Sequence, residues 1–109
     1  MKTAYKNDDE KVSMHLISPE FMFGLAATLK FGADKYGERN WEHSGGLGWS
    51  RVYAAAQRHM WAWWYGEDSD PESGLSHIDH AAVCLMMLST YSKRSNRFNL
   101  DDRPDQRAE

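Results

Sequence analysis

Apolar side chains recur at α-helical spacing in three segments of this chain, and no segment shows the alternation of a β-strand. The first segment begins at Ser18-Pro19-Glu20. There Ser can cap free amides, Pro suits the first helical position, and Glu favours the positive end of the helix dipole. The pattern predicts a first helix over residues 19–35, ended by Gly32 or Gly37, and an all-α fold.

The same periodicity predicts two further helices. Ser50 is the expected cap of a second helix over residues 51–66. Asp70-Pro71-Glu72 repeats the first helix start and predicts a third helix that runs to about Tyr91. The predicted apolar face of this third helix consists of Leu75, Ile78, Ala81, Ala82, Leu85 and Leu88.

Composition divides the chain around these helices. We expect a loose charged arm over residues 1–17, one helical domain over 18–91 and a charged tail over 92–109. The single Cys84 excludes an internal disulfide and is expected to be a buried small hydrophobe. No segment reaches the ~18 apolar residues of a membrane span, so we expect a soluble, cytoplasmic protein. The net charge of −3 argues against binding to nucleic-acid polymers.

The second predicted helix carries aromatic side chains on several sides. At about 100° per residue, Trp61, Trp63 and Trp64 lie at about 0°, 200° and 300° around it. A helix that is apolar almost all round is buried on more than one side, and two neighbouring helices cannot cover it. We therefore predict a homo-oligomer, dimer or tetramer, in which a second chain completes the helical bundle. Alternatively, some of these rings stack on a nucleotide base.

Side chains that can bind metal are concentrated in one short stretch that covers the second helix, the third helix and their connection. They are His59, Glu67, Asp70, Glu72, His77 and His80. Carboxylates and imidazoles that converge in this way can hold one or two divalent cations against a polyphosphate. His77 and His80 are three residues apart and share a helical face. The alternative is that each histidine is an ordinary core or surface residue.

The acidic residues of this stretch differ in their alternative roles. Asp70 is also an expected helix N-cap, and Glu72 is also a first-turn partner of the helix dipole. Glu67 follows Gly66, where the helix ends and a carboxylate is mildly unfavourable, so Glu67 is the strongest ligand candidate. Asp79 lies on a different face from the histidines and is expected to face solvent.

A second group of candidates lies just after the first helix. Lys35 and Arg58 can contact phosphates, Asn40 can pair with a base edge, and Tyr36 and Trp41 can stack on a base. The alternative is a solvated loop that Trp41 pins to the domain. The chain lacks the Gly-Lys-Ser/Thr end of a Walker motif, a Gly-x-Ser-x-Gly elbow and the Cys-x-x-Cys of zinc deaminases.

Taken together, five short motifs resemble the phage dATP/dGTP diphosphohydrolase family. They are Lys-Tyr-Gly-x-x-Asn-Trp (35–41), Ala-Ala-x-Arg-His (55–59), Gly-Glu (66–67), Asp-Pro-Glu-Ser-Gly-Leu-x-His (70–77) and His-Ala (80–81). That family is similar to the all-α nucleoside triphosphate pyrophosphatases, which include MazG-like enzymes. MazG-like enzymes carry Glu-Glu-x-x-Glu and Glu-x-x-Asp motifs. This chain has neither, although His77-x-x-His80 has the same i, i+3 spacing.

The resemblance implies an oligomeric helical hydrolase that uses Mg²⁺ or Mn²⁺ to convert a purine dNTP to the monophosphate and pyrophosphate. It also implies a phage protein that acts in the cytoplasm of an infected bacterium. We expect Glu67 and His59 to be catalytic, with an unligated carboxylate or His59 acting as the base. The implied substrate-binding residues are Lys35, Tyr36, Asn40, Trp41, Arg58 and His77. The implied metal ligands are Glu67, Asp70, Glu72, His77 and His80.

Two other functions stay open at this level. The missing acid-rich helix favours a protein that binds and sequesters a nucleotide, for example a nucleotide signal, without hydrolysing it. A third possibility is a helical module with a structural zinc site built on His59, His77 and His80.

Overall fold

Three α-helices and their connecting loops make up the described part of the protein. The structure is a computed structural model that describes residues 10–43, 46–94 and 99–104. Its helices are α1 (Pro19–Tyr36), α2 (Trp49–Trp64) and α3 (His77–Lys93), with 3-10 turns at Met14–Leu16 and Asn40–Glu42. These described ranges contain no strand, which confirms the all-α class. Residues 1–9 of the predicted arm, and 95–98 and 105–109 of the predicted tail, lie outside the described residues.

Helix α1 begins and ends where local sequence signals place it. The Ser18 Oγ accepts a hydrogen bond from the backbone amide of Phe21 at 3.2 Å, and Pro19 occupies the first helical position. The helix stops at Gly37, whose φ of 101° is readily adopted only by glycine. The predicted cap of the first helix is therefore confirmed.

Helix α2 begins at Trp49, and its predicted cap is wrong. Gly48 holds the N-cap position and Ser50 lies inside the first turn. The acceptor at this end is Asp102, whose carboxylate accepts hydrogen bonds from the Ser50 amide at 2.8 Å and from the Ser50 hydroxyl. Asp102 is distant from α2 in sequence, yet it caps the first turn of this helix. Part of the predicted tail therefore packs on the helical domain.

Helix α3 begins six residues later than the sequence predicts, at His77 instead of Pro71. The Asp70 carboxylate does accept the backbone amides of Glu72 and Ser73, at 3.1 and 3.0 Å, so a helical turn starts there. It goes no further because Gly74 turns the chain with a φ of 73°. Ser76 is the true cap, and its hydroxyl accepts the amide of Ile78 at 3.0 Å.

The core forms where α2, α3 and the loop before α2 meet. Trp49, Val52 and Tyr91 are buried at its centre. The hydroxyl of the fully buried Tyr91 donates to the carbonyl of Trp41 at 2.5 Å and accepts the amide of Leu47 at 3.1 Å. The end of α3 therefore holds both sides of the loop that follows α1.

Helix α3 packs against both α1 and α2, and its buried positions are correspondingly spread around it. Ile78 and Leu85, which belong to the predicted apolar face, are exposed, whereas His77 and Val83 are buried. Asp79 is half-buried and does not face solvent as predicted, because it lies against Gly24 of α1 at a point where a methyl group would overlap its carboxylate.

Much of the aromatic surface of α2 is exposed. Trp61 is 65 % exposed and Trp64 is 73 % exposed. Within the described chain, neighbouring helices leave these rings uncovered, as the sequence predicts. No helix among the described residues combines the length and the apolar character needed to cross a bilayer.

Candidate functional site

A cleft of about 1090 Å³ lies between α1, the loop after it and the α2–α3 pair. The predicted site residues that line it are Lys35, Tyr36, Asn40, Trp41, Arg58, His59, Asp70, Glu72 and His80. Small-molecule sites usually span roughly 300–1,000 Å³, so this open cleft has room for a complete nucleotide. Of the predicted site residues, Glu67 and His77 do not line the cleft.

Three imidazoles from α2 and α3 are in contact beside this cleft. The Nδ1 atoms of His59 and His77 lie 2.9 Å apart. On its other side, the His59 ring stacks on the His80 ring, with centroids 4.5 Å apart and planes 9° from parallel. Phe31 of α1 meets the His80 ring edge-on at 6.1 Å. The orientation of the His59 ring is therefore fixed by neighbours on two sides.

Glu67 contacts the imidazole cluster from behind the cleft. Its Oε1 atom lies 2.6 Å from the Nε2 atom of His77, and its side chain is 53 % exposed. His77 itself is buried, and both of its ring nitrogens have partners, Glu67 on one side and His59 on the other. Glu67, the strongest metal-ligand candidate in the sequence, therefore does not line the cleft. It contacts His77, and His77 contacts His59, which does line the cleft.

Asp70 brings a carboxylate to the same cluster. One ligand atom from each of His59, Asp70 and His77 lies within 4.8 Å of the other two. Burial acts to raise the pKa of Asp70, but the hydrogen bond from the Ser73 amide and the nearby imidazoles outweigh it and lower that pKa. Asp70 is therefore ionised at neutral pH and serves both as the acceptor of the turn and as a cleft carboxylate.

The stacked rings of His59 and His80 are neutral at neutral pH. Burial is the largest cause that lowers the pKa of His59, and the neighbouring imidazoles add to it. Burial also lowers the pKa of His80, against the opposing effect of the Asp70 carboxylate. Neutral imidazoles can bind a metal ion or accept a proton, whereas charged ones can do neither.

An ion pair crosses from the end of α1 to the loop before α3. The Lys35 ammonium contacts the Glu72 carboxylate and also lies 5.1 Å from the Tyr36 ring centroid. The hydrogen bond to Glu72 is the largest cause that raises the pKa of Lys35. Both partners line the cleft, so a phosphate that enters can compete with Glu72 for the Lys35 ammonium.

Trp41 lines the cleft and also attaches the loop after α1 to Tyr91 of α3. Its ring meets the Tyr91 ring edge-on at 5.7 Å, and its carbonyl accepts the Tyr91 hydroxyl. These contacts agree with the alternative of a pinned loop. They also place an aromatic surface in the cleft, beside the exposed Asn40.

Sequence reasoning missed one contributor, Ser73. Its hydroxyl lies 2.6 Å from the Nε2 atom of His80 and also accepts the amide of Leu75 at 3.1 Å. The signal was present in the Asp-Pro-Glu-Ser-Gly turn, because a serine in a tight turn commonly bonds nearby groups. Cys84, expected to be buried, is half-buried in the cleft wall, and this burial raises the pKa of its thiol.

The fold and the site define an all-α protein with an imidazole–carboxylate cluster in a nucleotide-sized cleft. The profile of the family described as dATP/dGTP diphosphohydrolase, N-terminal, matches residues 1–103, and the chain belongs to that family. A Salmonella phage PMBT28 protein named dATP/dGTP diphosphohydrolase is 38 % identical over 101 residues. The match covers 93 % of this chain but 33 % of that relative, so this chain spans about a third of its length. No solved structure matches this chain.

Proposed function

We propose that this chain carries the active site of a diphosphohydrolase that converts dATP or dGTP to the monophosphate and pyrophosphate. The observation that carries the proposal is the cleft in which cations, aromatic rings, imidazoles and carboxylates meet. Each of these groups suits one part of such a substrate. The name of the phage relative supports the choice of purine deoxynucleotides.

The substrate contacts are assigned by chemistry within the cleft. Lys35 and Arg58 supply the positive charges that would contact the triphosphate. Tyr36 and Trp41 supply aromatic surface for the base, and Asn40 supplies an amide that can pair with a base edge. Holding the triphosphate against the imidazole cluster would supply much of the rate acceleration through positioning.

The residues present fit a divalent cation. His59 and Asp70 offer ligand atoms close together, and Glu72 and His80 line the same cleft. This mixed nitrogen and oxygen set suits Mn²⁺ better than Mg²⁺, which prefers oxygen ligands and retained waters. When bound, the cation would neutralise triphosphate charge and polarise the reacting phosphorus–oxygen bonds. Both nitrogens of His77 already have partners, so its ligation would require it to release one.

A proton acceptor for the attacking water is available at His59. Its lowered pKa leaves the imidazole neutral at neutral pH, and its Nδ1 atom is occupied by the contact with His77. The Nε2 atom would therefore accept the proton as water attacks phosphorus whenever its lone pair is not bound to the cation, because one lone pair cannot serve both roles at once.

We also propose that the protein assembles as a dimer or tetramer through the exposed aromatic surface of α2, in the cytoplasm of a phage-infected bacterium. Trp61 and Trp64 are mostly exposed and lie on one helix, where they form the kind of apolar patch that marks protein interfaces. A second copy of the bundle is the partner that this patch would meet.

The test is a panel of the four dNTPs incubated with the full chain and Mn²⁺, Mg²⁺ or EDTA. We expect dATP or dGTP to yield monophosphate and pyrophosphate in a one-to-one ratio with metal, and no product with EDTA. Recovery of every dNTP intact, with one released after heat denaturation, would replace hydrolysis by sequestration. Stoichiometric zinc without nucleotide binding would instead indicate a structural metal site.

A further inference from the structure

A line of three side chains runs from the solvent-exposed loop before α3 to the cleft. Glu67 contacts the Nε2 atom of His77 at 2.6 Å, and the Nδ1 atom of His77 contacts the Nδ1 atom of His59 at 2.9 Å. His77 is 4 % exposed, whereas Glu67 is about half exposed. Of the three, only His59 lines the cleft.

The direction of each hydrogen bond follows from the chemistry of the groups. An ionised carboxylate can only accept, so the Nε2 atom of His77 donates to Glu67. When the His77 ring is neutral it has one N–H group, and if this is the Nε2–H that donates to Glu67, the Nδ1 atom is a lone pair and accepts. The Nδ1 atom of His59 must then donate, which leaves the Nε2 atom of His59 without a proton.

The stack with His80 removes the other freedom of the His59 ring. The two rings are nearly parallel, and the Nε2 atom of His80 is held by the Ser73 hydroxyl at 2.6 Å. The plane of the His59 ring is therefore set by packing. Packing alone does not determine which ring nitrogen of His59 carries the proton.

We propose that Glu67 and His77 are positioning residues that hold His59 in the tautomer with its proton on Nδ1, so that the Nε2 lone pair is presented to the cleft. The catalytic consequence rests on the proposed function, because there the lone pair would bind a cation or accept a proton from water. The tautomer itself depends on neither. When a carboxylate–histidine pair that orients a third group is broken, metal affinity or activity commonly falls roughly 10- to 100-fold.

The primary test is ¹⁵N NMR of the histidine rings in the full chain, without metal or nucleotide, at a pH where the spectra show both His59 and His77 to be neutral. Chemical shifts separate a protonated ring nitrogen from a bare one. We expect the His59 Nδ1 atom to be protonated and Nε2 to be bare. A protonated Nε2 atom on His59 in the unmodified protein would overturn the proposal.

Glu67→Gln is the informative variant, because an amide can either accept or donate and no longer dictates the direction of the line. Glu67 is half exposed, so the variant should fold. We expect the His59 signals to shift toward a mixture of the two tautomers. The matched control is Asp68→Asn, the same loss of charge on the next residue, where only the backbone carbonyl of Asp68 bonds the His77 amide. A Glu67→Gln spectrum identical to that of the control would contradict the proposal.

Steady-state kinetics test the effect on catalysis separately from the tautomer of His59. If the chain hydrolyses dNTPs, Glu67→Gln should lower kcat roughly 10- to 100-fold with little change in KM, since Glu67 does not line the cleft. An unchanged kcat together with a shifted tautomer would overturn the positioning role in catalysis. Absence of hydrolysis in the unmodified chain would reject the proposed function, and the NMR result would still decide the tautomer.

Discussion

His59 shows how a single side chain acquires its properties from its neighbours. Its position between His77 and His80 both orients the ring and removes it from water. Burial, followed by the nearby imidazoles, lowers the pKa of His59, so its ring is neutral at neutral pH. The same contacts also make the cluster sensitive to acid.

The first prediction is that the protein becomes less stable as the pH falls below about 6.5, the ordinary histidine pKa. The pKa values of His59 and His80 are lower in the folded chain, so the unfolded chain binds protons first, and the free energy of unfolding falls through that window. Urea unfolding at a series of pH values measures it. His59→Gln should weaken the dependence, whereas His15→Gln in the exposed N-terminal segment should leave it unchanged. A stability that stays constant or rises as the solution is acidified from neutral pH would contradict the prediction.

The second prediction contrasts two glycines of α1. A methyl group at Gly24 would overlap the Asp79 carboxylate, which would have to move, so Gly24→Ala should leave the free energy of unfolding lower than Gly32→Ala does. Gly32 has open space at the same position, and Gly32→Ala should raise the free energy of unfolding by about 0.5–1 kcal/mol through lower backbone entropy in the unfolded chain. Urea titrations compare the two variants. In a chain that carries Asp79→Ala, the effect of Gly24→Ala should come closer to that of Gly32→Ala, and equal effects of the two glycine changes in the otherwise unmodified chain would refute this packing.

At the scale of elements, two contacts between distant segments shape the cleft. Tyr91 near the end of α3 holds the carbonyl of Trp41 and the amide of Leu47, which flank the loop before α2. Asp102 holds the first turn of α2 through Ser50. The cleft wall formed by the loop after α1 is thus anchored to α3, and the start of α2 is anchored to the C-terminal segment.

The third prediction concerns the second of these contacts. Asp102→Ala removes the acceptor at the start of α2 and should lower the urea midpoint, because the first-turn amide and hydroxyl of Ser50 lose their partner. Asp68→Ala is the matched control, since Asp68 is exposed and it is its backbone carbonyl that bonds the His77 amide. A midpoint for Asp102→Ala that equals the control would remove the capping role.

The elements that could be predicted from sequence are those with local signals. The start of α1 depends on Ser18, Pro19 and the residues that follow directly, so spacing rules were sufficient. The start of α3 was missed because Asp70 does open a helical turn, and only Gly74 ends it.

The candidate site was predictable by residue type but not by arrangement. Most of the predicted site residues line the cleft, and their roles in binding and catalysis stay predictions. The place of Glu67 behind His77 depends on the path of the loop between α2 and α3, which no spacing rule provides. The capping of α2 by Asp102 is likewise a tertiary contact.

At the scale of the whole molecule, the described chain leaves large aromatic side chains exposed to water. Trp61 and Trp64 of α2 lie outside the core, which is formed by Trp49, Val52 and Tyr91. A small domain of this kind buries limited surface by itself, so covering these rings would add stability that the isolated bundle lacks.

The fourth prediction is that assembly depends on this surface. Light scattering during size-exclusion chromatography should give a multiple of the 12.6 kDa chain mass, and Trp64→Glu should reduce it toward one chain. Val12→Glu places the same charge on an exposed apolar residue outside the helices and should leave the assembly intact. A single-chain mass for the unmodified protein at every concentration would contradict oligomerisation.

Whether the cleft cluster performs the hydrolysis is decided by the rate at which Asp70→Asn releases pyrophosphate from dATP or dGTP. Asparagine keeps an oxygen that can accept the Glu72 and Ser73 amides, so the turn should survive while the cleft loses a negative charge. We expect this rate to be lower than that of the unmodified chain by roughly a hundredfold, with Asp68→Asn unaffected. Equal rates for the two variants would place the chemistry outside this cleft.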